Sequence, residues 1–165
     1  MKVIVTGGAG FIGSYVSKKL LSLGHDVTII DNFHTGFKSN IDAKAHFLKG
    51  DVSKNETIKK LKNKKFHAIL HIAGQSSGEV SFENSIFDLN SNTKSTLLLL
   101  DYAKKTKCKK FIYASSMSVY GEKDGKERYS ETDKTDPKSF YAVGKAASEN
   151  YLRIYKDQFD INYTI

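Results

Sequence analysis

One proline, one cysteine and no tryptophan occur in 165 residues, and each scarcity removes a class of architecture. A lone Cys108 leaves no internal disulfide and fits a reducing cytoplasm, where we expect the chain to work. A lone proline, Pro137, with no low-complexity tract or internal repeat, leaves no proline-rich linker. No apolar run approaches the ~18 residues of a membrane span, and the first apolar run begins after Met1 and Lys2, too early for a leader peptide. Negative charge is also short: 18 acidic residues face 26 basic ones, a net charge of +8. The lysines at 18–19, 59–65 and 104–110 are not interleaved with aromatics, so they read as solvated helix faces. We expect neither a nucleic-acid nor a membrane partner, though an anionic small ligand gains from the same field. What remains is one domain, 1–165, long enough to bury roughly 70% of its unfolded surface.

The informative stretch is the first thirty residues. Val3, Ile4 and Val5 form a short apolar run, as in a strand buried on both faces. Thr6-Gly7-Gly8-Ala9-Gly10-Phe11-Ile12-Gly13 follows at once. Apolar residues at helical spacing (Phe11, Ile12, Val16, Leu20, Leu23) then run to Gly24, and 25–30 read as a second strand ending at Asp31. This order is that of a dinucleotide site. Gly7 and Gly8 permit a tight turn, Gly10 lets a pyrophosphate approach the backbone, and Gly13 lets the helix pack closely. The helix N-terminus favours the phosphates. Asp31, 18 residues after Gly13, can accept both hydroxyls of the adenine ribose, and its charge disfavours the extra phosphate of NADP, so NAD is the expected cofactor.

Further strands are expected at 45–49, 66–72, 111–114 and 161–165, alternating with helices, the longest at 84–107 and 140–158. Ile86, Leu89, Thr93, Leu97 and Leu100 should line one face of the first of these. The fold expected is α/β: a Rossmann-like, doubly wound parallel sheet of about six strands with helices on both faces. The strand at 66–72 falls across the switch point from strand one, where a crevice opens. The loop 121–139, with Gly121, Gly125 and Pro137, reads as a surface excursion. Asp51 has two readings: with Val52 it meets an adenine ring, or Asp51 or Ser53 caps the next helix.

Tyr141 and Lys145 stand at i and i+4, on one helical face. A tyrosine base at neutral pH needs its pKa of ~10 lowered by about three units, roughly 4 kcal/mol. A neighbouring ammonium and a positively charged nicotinamide in a closed site together supply that. Ser116 falls where its hydroxyl bridges a substrate oxygen and Tyr141.

Six ordered segments carry a family resemblance: 6–13, Asp31-Asn32, His71-Ile72-Ala73-Gly74, Asn90, Ser115-Ser116-Met117-Ser118-Val119-Tyr120-Gly121, and Tyr141-x-x-x-Lys145. Together they resemble the extended short-chain dehydrogenase/reductases, and within them the NAD-dependent epimerase/dehydratases of nucleotide sugars, closest to the UDP-glucose 4-epimerases. The resemblance implies tightly bound NAD. Gly7, Gly10, Phe11, Ile12 and Gly13 would meet the pyrophosphate, and Asp31, Asn32, Phe33, Thr35 and Gly36 the adenosine ribose. Asp51 and Val52 would meet the adenine, with Ile72, Ala73, Gly74, Gln75 and Asn90 along the rest of the cofactor. Tyr141 would be the acid/base, Lys145 would bind the nicotinamide ribose and lower the tyrosine pKa, and Ser116 would assist. The implied reaction removes a proton and a hydride from one sugar carbon and returns the hydride to the other face of a keto-sugar. No metal enters it.

Within that family, dehydratases place Asp-Glu where this chain has Met117-Ser118, which cannot supply the acid and base of water elimination. Two departures stand out. Gly-Thr often follows the asparagine where this chain has Thr93-Lys94. Relatives also continue into a substrate-binding domain beyond the sixth strand, so the chain corresponds to their N-terminal part. The implied partner is a UDP-sugar, and a homodimer through the helices carrying Asn90 and Tyr141 would leave apolar side chains facing outward. The alternatives are an NAD-binding module without turnover and another nucleotide-sugar enzyme of the same family.

Overall fold

The computed structural model describes residues 1–122 and 128–165, so part of the surface excursion expected at 121–139, Gly125 included, lies outside the described residues. Six strands form one parallel sheet: β1 (Lys2–Thr6), β2 (Asp26–Asp31), β3 (His46–Lys49), β4 (Ala68–His71), β5 (Lys110–Tyr113) and β6 (Asn162–Thr164). Their spatial order is β3-β2-β1-β4-β5-β6, every neighbouring pair parallel. The order reverses between β1 and β4, which is the expected switch point.

Alternation along β1 sends side chains to two cores. Val3 and Val5 pack with Val27, Ile29 and Ala68 under α1 (Phe11–Ser22). Ile4 packs on the opposite face with Ile30, Ile69, Phe111 and Leu99. That second face is covered by α2 (Asn55–Lys60), α5 (Ser95–Thr106) and α6 (Phe140–Phe159), which contribute Ile58, Leu100, Ala103 and Leu152. Ile112, on the α1 side of β5, stays 40% exposed, while α1 packs on β1 and β2.

The apolar spacing misplaces two helical faces. In α1 the fully buried residues are Gly13, Ser14 and Ser17, with Leu20 and Leu21 partly buried against the sheet core, while Phe11, Ile12 and Leu23 are exposed. Small residues win there because the helix start must approach the turn closely. The helix expected at 84–107 is three pieces: α4 (Ser85–Leu89), a π turn at Asn90–Lys94, and α5. A short helix absent from the sequence reading, α3 (Gly78–Glu83), precedes it. One extra residue in the π turn rotates the following helix by about 100°. Ile86 and Leu89 therefore face outward while Leu100 is buried; the single apolar stripe is not one face.

His71 ends β4 fully enclosed. Ser95 Oγ donates to Ser91 O, so it accepts from His71 Nε2 at 3.1 Å, and Nδ1 accepts from Thr6 Oγ1 at 2.7 Å. The ring is neutral, and its pKa is pushed down to about 3, first by burial and then by the charge of Lys145. The unfolded chain binds this proton near pH 6.5 and the folded chain does not, so stability falls as pH drops from about 6.5 towards 3. The loss reaches about 5 kcal/mol at most. Urea melts at pH 7 and pH 4 check this: a His71→Asn variant is expected to show a much smaller drop.

Candidate active site

The glycine turn is built from backbone contacts that leave no room for side chains. Gly7 has φ +69°, and a Cβ there would lie 2.8 Å from Ala73 N. Gly8 was expected to share the unusual angles, but its requirement is space: a Cβ would meet Ile29 at 2.6 Å. Gly13 is tighter still, its Cβ falling 2.1 Å from Gly7 O, so it packs against the turn itself. Gly10 N–H donates to Gly7 O and Gly10 caps α1 without a side chain. The first N–H groups of a helix have no intrahelical partner, and at this helix start Phe11 and Ile12 are 80% and 60% exposed. Two large apolar side chains left open at a helix N-terminus are what a partly apolar, anionic ligand would cover.

Asp31 closes β2 against this turn. Its Oδ2 accepts from Ala9 N at 2.9 Å and its Oδ1 from Phe33 N at 2.8 Å. Each oxygen keeps a second lone pair for a diol. The turn that follows puts Phe33 at φ +63°, a strained angle for an aromatic residue, held by its ring against Phe47. Asn32 accepts from His34 N, Thr35 is exposed, and Gly36 passes Ala9 so closely that a Cβ would meet its carbonyl carbon at 2.9 Å. Neither helix-cap reading of Asp51 and Ser53 holds: α2 starts after Lys54 with no side-chain cap. Asp51 instead accepts from Ser53 N at 2.8 Å, a local turn, and Val52 is buried in the core.

Across the switch point, Ile72 and Ala73 N–H groups donate to Thr6 Oγ1, tying the β4 exit to β1. Gly74 sits over a polar nest: a Cβ there would lie 2.5 Å from Asn92 Oδ1 and 3.4 Å from Lys145 Nζ. The Gln75 side chain turns inward, donating to Asp88 Oδ1 at 3.0 Å and to Ser77 O, with Ser77 N–H donating back to it. From the π turn, Asn90 is half-buried, and Asn92 is the residue that reaches this loop. Its Nδ2 donates to Gln75 O at 3.1 Å and to Asp88 Oδ1 at 2.9 Å. Asn92 Oδ1 and Asp88 Oδ2 are buried without a hydrogen-bond partner. Sequence reasoning missed Asn92 and Asp88. The signal was two polar residues four apart inside an apolar helix, obscured by the π turn. Where relatives often carry Gly-Thr, Thr93 is buried against Gly144, and Ser95-Thr96 just beyond are fully buried.

α6 brings the chemistry. Ser139 caps it, accepting from Ala142 N. Its Gly144 packs against Thr93, whose hydroxyl donates to Gly144 O, and Ser148 donates to Asn92 O. Lys145 is 4% exposed, not the exposed lysine of a generic helix surface. Its Nζ donates to Ala114 O at 2.9 Å and lies 4.9 Å from the Tyr113 ring centroid and 5.8 Å from that of Tyr141. Burial lowers its pKa to about 8, against an upward pull from Asp88. Asp88 is itself pushed up by burial. Ser116 begins the 3₁₀ turn Met117–Tyr120. Its Oγ accepts from Ser118 Oγ at 2.9 Å and from Ser118 N at 3.3 Å, so its own proton is free to donate. Met117 is 67% exposed. Among the described residues, no helix is long and apolar enough to cross a membrane.

Comparison with known proteins agrees with this geometry. The family described as "NAD dependent epimerase/dehydratase family" matches residues 3–165. A UDP-glucose 4-epimerase of Corynebacterium glutamicum is 33% identical over 99% of this chain and 49% of its own length. A crystal structure of UDP-glucose 4-epimerase from Thermus thermophilus, in complex with NAD, superposes with a TM-score of 0.94 at 35% identity, covering 99% of this chain and 53% of that one. One from Thermotoga maritima, with UDP-glucose, gives a TM-score of 0.94 at 32% identity, covering 99% and 53%. The chain spans about half the length of the relatives it matches.

Proposed function

The chain belongs to the NAD-dependent epimerase/dehydratase family, and from that premise we propose that it binds NAD across the β1–β4 switch point and serves epimerisation of a UDP-sugar with Tyr141 as the acid/base. The observation that carries this is the buried Lys145, whose ammonium lies 5.8 Å from the Tyr141 ring, on the same side of the fold as the glycine turn.

The residues present fit NAD. The turn at Gly7, Gly8 and Gly13 has no room for a Cβ, Phe11 and Ile12 stand open beside free helix N–H groups, and Asn92 Oδ1 is an orphaned acceptor at Gly74. Gly7, Gly10 and the α1 start would hold the pyrophosphate, Asp31 to Gly36 the adenosine ribose, Asp51 and the Val52 backbone the adenine, since the Val52 side chain is in the core, and 72–75 with Asn92 the remainder. When bound, NAD supplies an acceptor for the sugar hydride and gives the hydride back.

The chain's own residues manage the proton. With a pKa of about 8, Lys145 is about nine-tenths protonated at pH 7. Held by Ala114 O, its ammonium favours the phenolate of Tyr141, which takes the proton of a sugar hydroxyl and later returns it. Ser116, which accepts two hydrogen bonds from Ser118, donates its proton to the reacting oxygen or to the phenolate. Met117 and Ser118 offer no second acid or base, which favours epimerisation over dehydration.

Calorimetric titration with NAD and NADP tests the cofactor site. NAD is expected to bind at micromolar concentration and NADP more weakly. Asp31→Ala is expected to lower NAD affinity roughly tenfold or more, about 1.4 kcal/mol, because the carboxylate orders the turn as well as meeting the ribose. A folded chain that binds neither nucleotide refutes the reading. Binding without conversion of UDP-glucose supports the module without turnover.

Homodimerisation through α4 and α6 is part of the same proposal. Ile86 and Leu89 on α4 and Val143 on α6 are more than half exposed. The Phe82 and Phe140 rings meet at 5.8 Å on the same outer side. Exposed apolar side chains on neighbouring helices of this kind support a self-association face. Sedimentation equilibrium is expected to show a dimer, and Ile86→Asp a monomer that still binds NAD.

A further inference from the structure

We propose that Glu149 is a positioning residue: through Ser115 it sets where the Ser116 hydroxyl stands relative to Tyr141. This rests on the reading of Tyr141, Lys145 and Ser116 given above and adds a residue that the motif pattern does not contain.

Tyr141, Lys145, Glu149 and Arg153 recur at four-residue steps along α6, and the middle two meet the segment that leaves β5. The last sheet-type bond of that strand end is Ala114 N–H to His71 O. Past it, two successive turns of α6 grip two successive residues. Lys145 Nζ donates to Ala114 O at 2.9 Å. Ser115 Oγ donates to Glu149 Oε1 at 2.6 Å. Ser116 follows directly and starts the 3₁₀ turn with an extended backbone, φ −153° and ψ 149°. Its direction therefore depends on where 114 and 115 are held.

Glu149 is a costly way to fill this position if packing were its only task. It is 7% exposed, and a buried carboxylate loses much of its hydration. Its other oxygen meets Arg153 Nη2 at 3.3 Å, but Arg153 is half exposed and also bonds Asn150. One helical turn on, the buried Leu152 fills the core without any such demand. The short bond to Ser115 is what an apolar residue at 149 cannot make, and its consequence falls on the next residue, Ser116. A hydroxyl that donates to a phenolate lowers that phenol's pKa, and it does so only when its direction is held.

The test reads the Tyr141 phenol in the NAD-saturated chain. Ultraviolet difference titration is recorded as the chain minus its Tyr141→Phe variant. Tyr102, Tyr113 and Tyr155 stay silent near neutrality because burial pushes each well above the ordinary tyrosine range. The NAD-saturated unmutated chain gives the reference midpoint for Tyr141. Ser116→Ala should move it up by about one unit. Glu149→Leu and Ser115→Ala should each reproduce that shift, and Glu149→Gln, which keeps an acceptor for Ser115, should stay near the starting value. NAD affinity should change less than threefold throughout. If Glu149→Leu fails to fold, Ser115→Ala, which leaves the Glu149–Arg153 pair in place, carries the test. The proposal is overturned if Ser116→Ala shifts Tyr141 while Ser115→Ala or a folded Glu149→Leu does not, or if Glu149→Gln is as damaging as Glu149→Leu, which would mean that charge acts rather than the bond. An unmutated chain that binds no NAD, or whose Tyr141 midpoint Ser116→Ala leaves unmoved, overturns the underlying reading instead, and this one with it.

Discussion

Gly13→Val is expected to abolish NAD binding and to destabilise the fold by about 2–4 kcal/mol. The reason is spatial. A Cβ at Gly13 falls 2.1 Å from Gly7 O, 2.7 Å from Gly7 C and 2.9 Å from Gly8 Cα. All three are backbone atoms of the turn, so no side chain can swing away to make room. Helix α1 would have to withdraw, taking its N–H groups from the phosphate position and loosening the Gly7 contact with Ala73. Gly13→Ala should already weaken NAD at least a hundredfold, about 2.7 kcal/mol. Gly24 is the internal control. It has φ +76° but nothing within 4 Å of a Cβ, so Gly24→Ala should cost only its backbone strain, about 1 kcal/mol, and leave NAD affinity unchanged. Calorimetry and urea melts on the three variants separate the two kinds of glycine. Equal NAD binding by Gly13→Ala and the unmutated chain would remove the turn from the cofactor site.

Tyr141→Phe is expected to lower turnover of UDP-glucose by a factor on the order of 1,000 or more, with NAD affinity within threefold. The substitution keeps the ring and removes the one atom that exchanges a proton with the sugar. The pH dependence follows from Lys145. Its ammonium is lost as pH rises through about 8, and the support for the phenolate goes with it, so kcat should fall above that pH. Asp88 holds the lysine pKa up; Asp88→Asn should move the descending limb to lower pH. Stability moves the other way. Between pH 8 and 10.5 the unfolded chain carries the Lys145 proton and the folded chain does not, so this group's contribution to stability grows by about 3 kcal/mol as pH rises across that window. Burial of Lys145 is thus a stability penalty at neutral pH that keeps a cation beside Tyr141. A Tyr141→Phe variant with unchanged kcat would sink the acid/base assignment.

Most of the sheet was legible in the order of residues. Short apolar runs at β1, β2, β4 and β5, each followed by glycine or small polar residues, identify strands, although β5 buries only the face that carries Phe111 and Tyr113. A parallel sheet with a switch point follows from their alternation with helices. The glycine turn, Asp31 and the Tyr141–Lys145 spacing were legible for the same reason: their geometry is local, set by a few consecutive residues or one helical turn. The failures were equally physical. Phe11, Ile12, Ile86 and Leu89 match a buried stripe by spacing and are exposed, because spacing records apolarity and not what lies opposite. The π turn at Asn90–Lys94 broke the 3.6-residue period, so the asparagine that reaches the Gly74 loop, Asn92, did not stand out.

The sequence by itself determined the sheet, the glycine turn and the pairing of Tyr141 with Lys145, since each depends on φ/ψ freedom or spacing within a few residues. Only the tertiary structure decided the state of the groups that would do chemistry. That Lys145 is buried with a pKa near 8, that His71 is neutral, that Asn92 and Asp88 carry unpartnered oxygens, and that Glu149 grips Ser115 all depend on packing between separate elements, as in Lys145 on Ala114 and Glu149 on Ser115, 31 and 34 residues apart. Desolvation and hydrogen-bond direction are properties of what surrounds a group, and no spacing rule along one chain segment encodes them.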